Sequence, residues 1–483
     1  MNPCQQKTDA AQSIYLHARM DHWNRIADRA GEWQGIGGYY HKRVEEIYGF
    51  LIPPGMRVLE LGCGRGNLLA SLAPVCGVGI DLSGKIIEQA RKCHPELRFI
   101  EGDAHALPLD EKFDVVILSD LVNELWDVQK VFHEVAKVST PTTRVVLNFH
   151  SHLWEQPLNL ARWLRLASPQ MPQNWLTAGD LSDLLALEDF EVIKHSREIL
   201  CPLPIWPLTS LCNRYLVKIW PFRHLAVTNF LVARPRAGAR SPLPEPVVSV
   251  VVPARNEAGN IAAIFDRTPE MGSGTELIFV EGNSQDDTFW AIEREMANHP
   301  ERRCKLLKQP GRGKGDAVRC GFQAAHGDVL MILDADMTVP PEDLPGFYSA
   351  LQSGKGEFIN GVRLVYPMEQ EAMRFLNKIG NKFFSLSFSW LLDQPIKDTL
   401  CGTKVLHRKD YQRISANRSY FGEFDPFGDF DLLFGAAKLN LKMIQIPIRY
   451  RERTYGNTNI SRFRHGLLLL RMVLFAARKI KFI

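Results

Sequence analysis

No two of the nine cysteines are spaced as Cys-x-x-Cys. Cys4, Cys63, Cys76, Cys93, Cys201, Cys212, Cys304, Cys320 and Cys401 are scattered and odd in number. That excludes a cysteine-built zinc site and a disulfide scaffold, and it points to a reducing cytosol. No apolar run approaches the roughly 20 residues needed to span a bilayer. The longest candidate, Leu467 to Ala477, is interrupted by Arg471. Met1 to Ala30 is polar and charged and has no signal-peptide apolar region. There is no internal repeat, no basic arm and no aromatic-basic alternation, and the net charge is only +4. Nucleic acid is therefore not expected as a partner.

What is present suits two soluble cores. A chain of 483 residues with 45% apolar content reads as two α/β domains of roughly 200–240 residues each. The break falls at residues 235–246, within Arg234 to Pro246, which reads RPRAGARSPLPEP. This stretch has no helical or strand period and is expected to be an extended linker. It separates residues 39–234 from 247–463, with a helical segment at 1–38 and a helix at 464–483. Apolar strands alternate with amphipathic stretches on both sides, which predicts two doubly wound, mostly parallel sheets. Such sheets bind ligands beyond the carboxyl ends of their strands.

In the first half, a strand at Arg57–Leu61 runs into Gly62-Cys63-Gly64-Arg65-Gly66. Asn67 stands where a dinucleotide fingerprint would place its last glycine. A second strand, Gly77–Ile80, ends on Asp81, whose carboxylate can accept hydrogen bonds from ribose hydroxyls. A third, Arg98–Glu101, ends in Gly102-Asp103-Ala104. A fourth, Phe113–Leu118, ends at Ser119-Asp120. This pattern, over about Tyr39 to Arg234, resembles the class I S-adenosylmethionine-dependent methyltransferases, with their Rossmann-like fold. The resemblance implies that Gly62, Gly64 and Gly66 line the methionine part of S-adenosylmethionine. It counts Glu60 among the cofactor-binding residues. Asp81 would hold the ribose, and Asp103 with Ala104 would face the adenine. The methylated atom is not readable. His41, His150 and His152 are candidates for a base, should one be needed. The stretch Trp154 to Trp220, rich in Trp, Leu and Pro, reads either as a substrate lid or as packing against the second domain.

In the second half, the strand Val247–Val252 leads into Pro253-Ala254-Arg255-Asn256-Glu257. The strand Glu276–Val280 leads into Glu281-Gly282-Asn283-Ser284-Gln285-Asp286. Gly311-Arg312-Gly313-Lys314 opens a helix, and the strand Asp328–Leu333 ends in Asp334-Ala335-Asp336. Two aspartates flanking one small residue form a hard-oxygen site suited to Mg2+ or Mn2+ bridging a diphosphate. Over about Val247 to Ile483 the chain resembles the inverting family 2 glycosyltransferases of GT-A fold, in particular the polyprenyl-phosphate (dolichol-phosphate) sugar transferases. That resemblance implies a nucleotide-sugar donor held by Pro253, Asn256, Glu257, Glu281, Asp286, Lys314, Asp334 and Arg363. It implies a metal on Asp334 and Asp336, and an acceptor-side motif from Asp398 to Lys404. It also implies a late loop from Ile448-Arg449-Tyr450 to Gly456 that closes over the diphosphate.

Gly282, Arg255, Thr338 and Asn459 depart from the family pattern, so an unusual donor or acceptor is expected. A lipid phosphate acceptor, with a second pKa of about 6, would need no protein base. A hydroxyl acceptor, on a glycan or glycolipid, would need one, and Asp398, Asp429 and Asp431 are the candidates; helix capping is the other reading of the last two. At the end of the chain, Arg464, Arg471, Arg478 and Lys481 fall on one stripe of an otherwise apolar helix. That pattern predicts peripheral contact with the inner face of a membrane. The whole reads as a bifunctional enzyme. The alternative is a single-activity glycosyltransferase whose first half binds cofactor as a scaffold or regulatory module.

Overall fold

The computed structural model describes residues 3–29, 35–163, 171–236, 245–363, 375–399, 401–421, 430–448, 455 and 462–483. The chain divides into two compact units, Met1–Arg236 and Ala237–Lys481, with the last two residues grouped with the first. Each unit is built on one seven-stranded sheet.

In the first unit the strands are β1 (Arg57–Leu61), β2 (Cys76–Asp81), β3 (Arg98–Glu101), β4 (Phe113–Ser119), β5 (Ser139–His150), β6 (Phe190–Glu198) and β7 (Thr228–Pro235). Their spatial order is β3-β2-β1-β4-β5-β7-β6. All neighbours are parallel except β7, which runs antiparallel between β5 and β6. Period-two alternation makes both faces apolar. Leu59, Leu61, Val116 and Leu118 pack into one core, while Val58, Val115 and Ile117 pack into the other. Helices cover each face, and several of them start at polar caps. Ser83 Oγ accepts from the amide of Ile86, and the Asp127 carboxylate from that of Lys130.

Two expected boundaries move. A helix spans Gly35–Leu51, so the expected division at 38/39 falls inside it. Its Val44, Ile47, Tyr48 and Leu51 stripe belongs to the sheet core. Strand β7 continues to Pro235, paired with Phe190, one residue into the expected linker. Most of that linker, 237–244, lies outside the described residues.

The second unit contains β8 (Val248–Ala254), β9 (Thr275–Glu281), β10 (Arg303–Lys308), β11 (Val329–Ile332), β12 (Phe358–Val362), β13 (Lys404–His407) and β14 (Met443–Pro447). The order is β10-β9-β8-β11-β13-β12-β14. The four strands from β10 to β11 are parallel. Strand β13 lies antiparallel between β11 and β12. The chain ends in a helix at Arg462–Ala476 that passes into a π-helical turn at Ala477–Lys481, so the expected single helix at 464–483 changes pitch near its end. Among the described residues no helix is long and apolar enough to cross a membrane.

Candidate functional sites

At the carboxyl end of β1 the chain reverses through Gly62, Gly64 and Gly66, all with positive φ. The turn needs glycine for two different reasons. A Cβ on Gly66 would come within 2.4 Å of Phe99, whereas one on Gly64 would meet no atom within 4 Å. The space beside Gly64 is open, and the demand there is conformational alone. Asp81, ending β2, accepts from the amides of Gly64 (3.0 Å) and Ser83 (2.9 Å). Burial nonetheless raises its pKa. Glu60 is buried, its pKa is pushed well up by desolvation, and its Oε2 has no hydrogen-bond partner among the described residues. An open glycine cradle, a strand-end carboxylate and an orphaned buried acceptor together fit a nucleoside cofactor bearing hydroxyl and ammonium groups.

Asp103 is already engaged. Its Oδ1 accepts from the amide (3.0 Å) and the Nδ1 (2.6 Å) of buried His105, and His105 Nε2 accepts from the Asp127 amide. Burial would raise the Asp103 pKa, but these hydrogen bonds outweigh it and hold the carboxyl below its usual range. Ala104 packs against the core beside it. The helix at Pro3–Arg29 reaches the same edge of the sheet. Asn24 accepts from Ser83 Oγ, and Arg19 and Trp23 both contact Glu124.

A second cluster adjoins the glycine turn, since a Cβ on Gly62 would lie 2.9 Å from Leu121. Asp120, at the end of β4 with φ 53°, accepts from Tyr40 Oη (2.9 Å) and Asn148 Nδ2 (2.6 Å). The His150 ring stacks on Tyr40 at 6.0 Å, and its Nδ1 is buried without a partner among the described residues. His41 meets the edge of Tyr40 at 5.5 Å, and burial lowers its pKa. Of the three candidate histidines, His41 and His150 therefore come together. His152 is exposed and lies 3.5 Å from Glu155. Tyr40 and Asn148 carry no sequence signal, because their partner Asp120 is distant in the chain. Asp120 could have been found as the fourth acid in a series of strand-end acids.

In the second unit the motifs converge at the carboxyl ends of β8, β9 and β11. Pro253 pairs with Val280 near the ends of β8 and β9. Asn256, with positive φ, donates its amide to Ser284 and accepts from the amide of Gln285. Buried Glu257 accepts from Asn260, and its amide donates to Thr288. Glu281 accepts from the amide of Ser284. Asp286 accepts from the amides of Ala258 and Thr288 and from the hydroxyls of Thr288 and Tyr455. Burial opposes the effect, but these bonds lower its pKa. Gly282 is closely framed, a Cβ there lying 3.1 Å from Gln309 Oε1 and 3.2 Å from Arg255 Cβ.

Lys314 opens its helix after Gly313 and places Nζ 2.6 Å from Asp334 Oδ1. Burial would raise the Asp334 pKa, but Lys314, Lys404 and Arg363 together lower it. A Cβ on Gly402 would fall on Asp334 Oδ2 and close to Lys314 Nζ, so a side chain there would have to displace this ion pair. Asp336 Oδ1 accepts from both the amide and the hydroxyl of Thr338. Thr338, where the family pattern has glutamine, thus orients that carboxylate. Among the described residues no group of three or more metal-ligating side chains forms. Two aspartates alone fit a magnesium-type ion only if substrate phosphates complete its shell.

Asp398 is buried and bound by Arg363 through the backbone amide, Nε (2.8 Å) and Nη2 (2.9 Å). Asp431, in the first turn of the helix Phe430–Lys438, accepts from Arg418 Nε at 2.8 Å. Asp429, Asn459 and most of the late loop lie outside the described residues. Of that loop, Tyr455 reaches Asp286, and it would overlap a Cβ on Gly259.

Both sites are built for group transfer, one beside a glycine turn and the other around a paired-aspartate strand end. Residues 52–185 match the model described as "Methyltransferase domain", and residues 249–414 match "Glycosyl transferase family 2". The chain carries a methyltransferase domain followed by a family 2 glycosyltransferase domain. It is similar to a dolichol-phosphate mannosyltransferase of Pyrococcus furiosus, 27% identical over 218 residues, covering 44% of this chain and 59% of that one. It is also similar to an undecaprenyl-phosphate 4-deoxy-4-formamido-L-arabinose transferase of Pectobacterium carotovorum, 36% identical, covering 44% and 62%. The chain thus spans about three fifths of these relatives. A solved magnesium protoporphyrin IX methyltransferase from Synechocystis aligns with TM-score 0.33 and 18% identity, covering 47% of this chain and 99% of that one.

Proposed function

We propose that the chain is a bifunctional enzyme. Its second unit transfers a sugar, with inversion, from a nucleotide-sugar to a polyprenyl phosphate, and its first unit methylates a substrate of the same pathway. The observation that carries the acceptor class is the state of the candidate bases. Asp398 is committed to Arg363 and Asp431 to Arg418. The arginine partner makes each a poorer base toward a hydroxyl, and Asp429, the third candidate, lies outside the described residues. A phosphomonoester, with a second pKa of about 6, arrives largely ionised and needs no base. The names of the relatives, which include dolichol- and undecaprenyl-phosphate transferases, support the same acceptor.

A divalent cation on Asp334 and Asp336 would neutralise charge on the departing diphosphate. The protein's own contributions are positional. Thr338 orients Asp336, and Lys314 brings its ammonium and a helix N-terminus to the same point. Asn256, Glu257 and Asp286 cross-tie the loops after β8 and β9 into one donor-binding edge. Asp398 holds the Arg363 guanidinium in a fixed plane at the sugar-phosphate side.

In the first unit, Gly62, Gly64, Gly66, Glu60 and Asp81 would hold S-adenosylmethionine, which supplies an activated methyl group. Asp103, locked by His105, would set the adenine end with Ala104. His41 and His150 are placed to accept a proton from the methyl acceptor, and the Pro3–Arg29 helix would limit water at that edge. The location proposed is cytoplasmic and peripheral to the membrane. The terminal helix exposes Leu467, Leu470 and Leu474 together with Arg471 and Arg478, a face suited to an anionic interface.

The test offers purified protein a panel of radiolabelled nucleotide-sugars with Mg2+, polyprenyl phosphate and, separately, soluble glycans. Label should enter the organic phase with one donor only when polyprenyl phosphate is present. Transfer confined to a soluble glycan, or none with any donor, overturns the reading.

A further inference from the structure

The first unit carries a surface that neither proposed reaction uses. Between β6 and β7 the chain makes an excursion of short helices, Leu208–Arg214, Leu216–Lys218 and Phe222–Leu225. The excursion is tightly built. Buried Asn213 accepts from the amides of Leu200 and Cys201, and it donates to Cys201 O and to Tyr39 Oη. Lys218 and Glu198 form a fully buried ion pair. Despite this scaffolding, Trp206 is 86% exposed, Trp220 72%, Leu225 55% and Leu211 51%. A loop held this firmly does not expose four large apolar side chains for want of order. Large apolar side chains left exposed together on one well-packed element point to a docking site.

The charge of the same element selects the occupant. From Ile199 to Leu225 there is no Asp or Glu, but there are Arg214, Lys218, Arg223 and His224, of which only Lys218 is paired with a carboxylate, that of Glu198. Arg197, on β6, donates to His224 Nδ1 at 2.7 Å. Among the described residues no carboxylate pairs with Arg197 or Arg223. Desolvation first, and then the Arg223 charge, lowers the Arg197 pKa; desolvation and both guanidiniums lower that of His224. This is a crowded cationic group lacking an anion, set beside exposed tryptophans. Tryptophan rings settle at the boundary between headgroups and acyl chains, and arginines pair with headgroup phosphates.

We propose that the β6–β7 excursion docks the methyltransferase unit on an anionic bilayer, with Trp206 and Trp220 inserted at the interface and Arg197 and Arg223 on lipid phosphates. This docking is separate from that of the terminal helix. It sits next to the acceptor side, because Asn213 is bonded to Tyr39, the neighbour of Tyr40 and His41. A lipid-borne methyl acceptor would therefore reach the cluster around Asp120 without leaving the membrane.

The test uses the full chain with vesicles of phosphatidylglycerol and phosphatidylethanolamine, and with phosphatidylcholine vesicles for comparison. Trp206→Ser/Trp220→Ser should weaken co-sedimentation with the anionic vesicles by about tenfold. Arg197→Gln/Arg223→Gln should erase most of the preference for anionic over phosphatidylcholine vesicles. Both variants should keep wild-type thermal melts and S-adenosylmethionine affinity. Leu467→Ser/Leu474→Ser reports the terminal helix separately. Trp206→Phe/Trp220→Phe, which keeps the apolar surface, should still bind but should lose tryptophan quenching by brominated acyl chains. Wild-type vesicle binding by both excursion variants, or undiminished quenching in the Phe variant, overturns the proposal. So does failure of the wild type to bind any vesicle, or a change in sedimentation coefficient on Trp→Ser substitution without vesicles, which would assign the surface to a protein partner.

Discussion

At the scale of single residues, the glycosyltransferase site is an exercise in holding one carboxylate charged. Burial would raise the Asp334 pKa, but Lys314, Lys404 and Arg363 together lower it, and in the proposed reading a cation shares its charge. Asp336, oriented by Thr338, would contribute the second oxygen. Replacing Asp336 by Asn should cost about 3 kcal/mol of transition-state stabilisation, roughly 100-fold in sugar transfer. Chelation of the wild type should have a comparable effect. Both are read by donor turnover, and survival of transfer under both conditions would remove the metal from the reaction. In the other unit, Asp81 holds the glycine turn through the Gly64 amide, and in the proposed reading it also accepts from the ribose. Asp81→Ala should weaken S-adenosylmethionine binding by about tenfold or more, the loss of one charge-assisted hydrogen bond. Calorimetry measures this, and NAD(H) should not compete.

At the scale of elements, β9 is tied to its surroundings by one carboxylate. Buried Glu276 accepts from Ser249 on β8 at 2.7 Å, pairs with Lys305 on β10 at 2.8 Å, and receives the His326 amide at 3.1 Å. Burial alone would raise its pKa, but the bonds from Lys305, Ser249 and His326 outweigh it and hold the group at about 2, against an ordinary 4.5. The folded value is depressed, so the stabilisation is present above the unfolded value and is lost as pH falls through the folded one. Glu276→Gln should therefore lower stability by about 2 kcal/mol at neutral pH, allowing for solvent screening. The gap between variant and wild type should narrow below pH 4.5 and close near pH 2. Urea unfolding across that range checks it; a gap independent of pH would mean that packing, not charge, is what Glu276 supplies.

At the scale of the whole molecule, each unit has its own sheet and its own cores. Fragments divided near Ser241 should each be soluble and melt cooperatively, as separate cores usually allow. Asp336→Asn should leave methyl incorporation unchanged on the same preparation, and a parallel fall in both activities would mean coupled sites. The sequence by itself determined that there are two α/β halves, because buried parallel strands are written as short apolar runs and several of them here end on glycine or acid. It also marked out Gly62 to Gly66, Asp81, Asp334 and Asp336 as candidates, since turn geometry and strand-end acids are local features. It could not show that β7 and β13 insert antiparallel, because strand order is a long-range property. Nor could it show that Asp398 is locked by Arg363 and Asp431 by Arg418, or that Tyr40, His41, Asp120 and His150 meet. Adjacent Tyr40 and His41 aside, those partners lie from 13 residues to more than a hundred apart in the chain, and only tertiary folding brings each set together. The same limit explains the Trp154 to Trp220 stretch. Its composition announced apolar surface, but whether Trp206 and Trp220 are buried or face solvent depends on the β6–β7 scaffold beneath them, and that is a matter of tertiary packing.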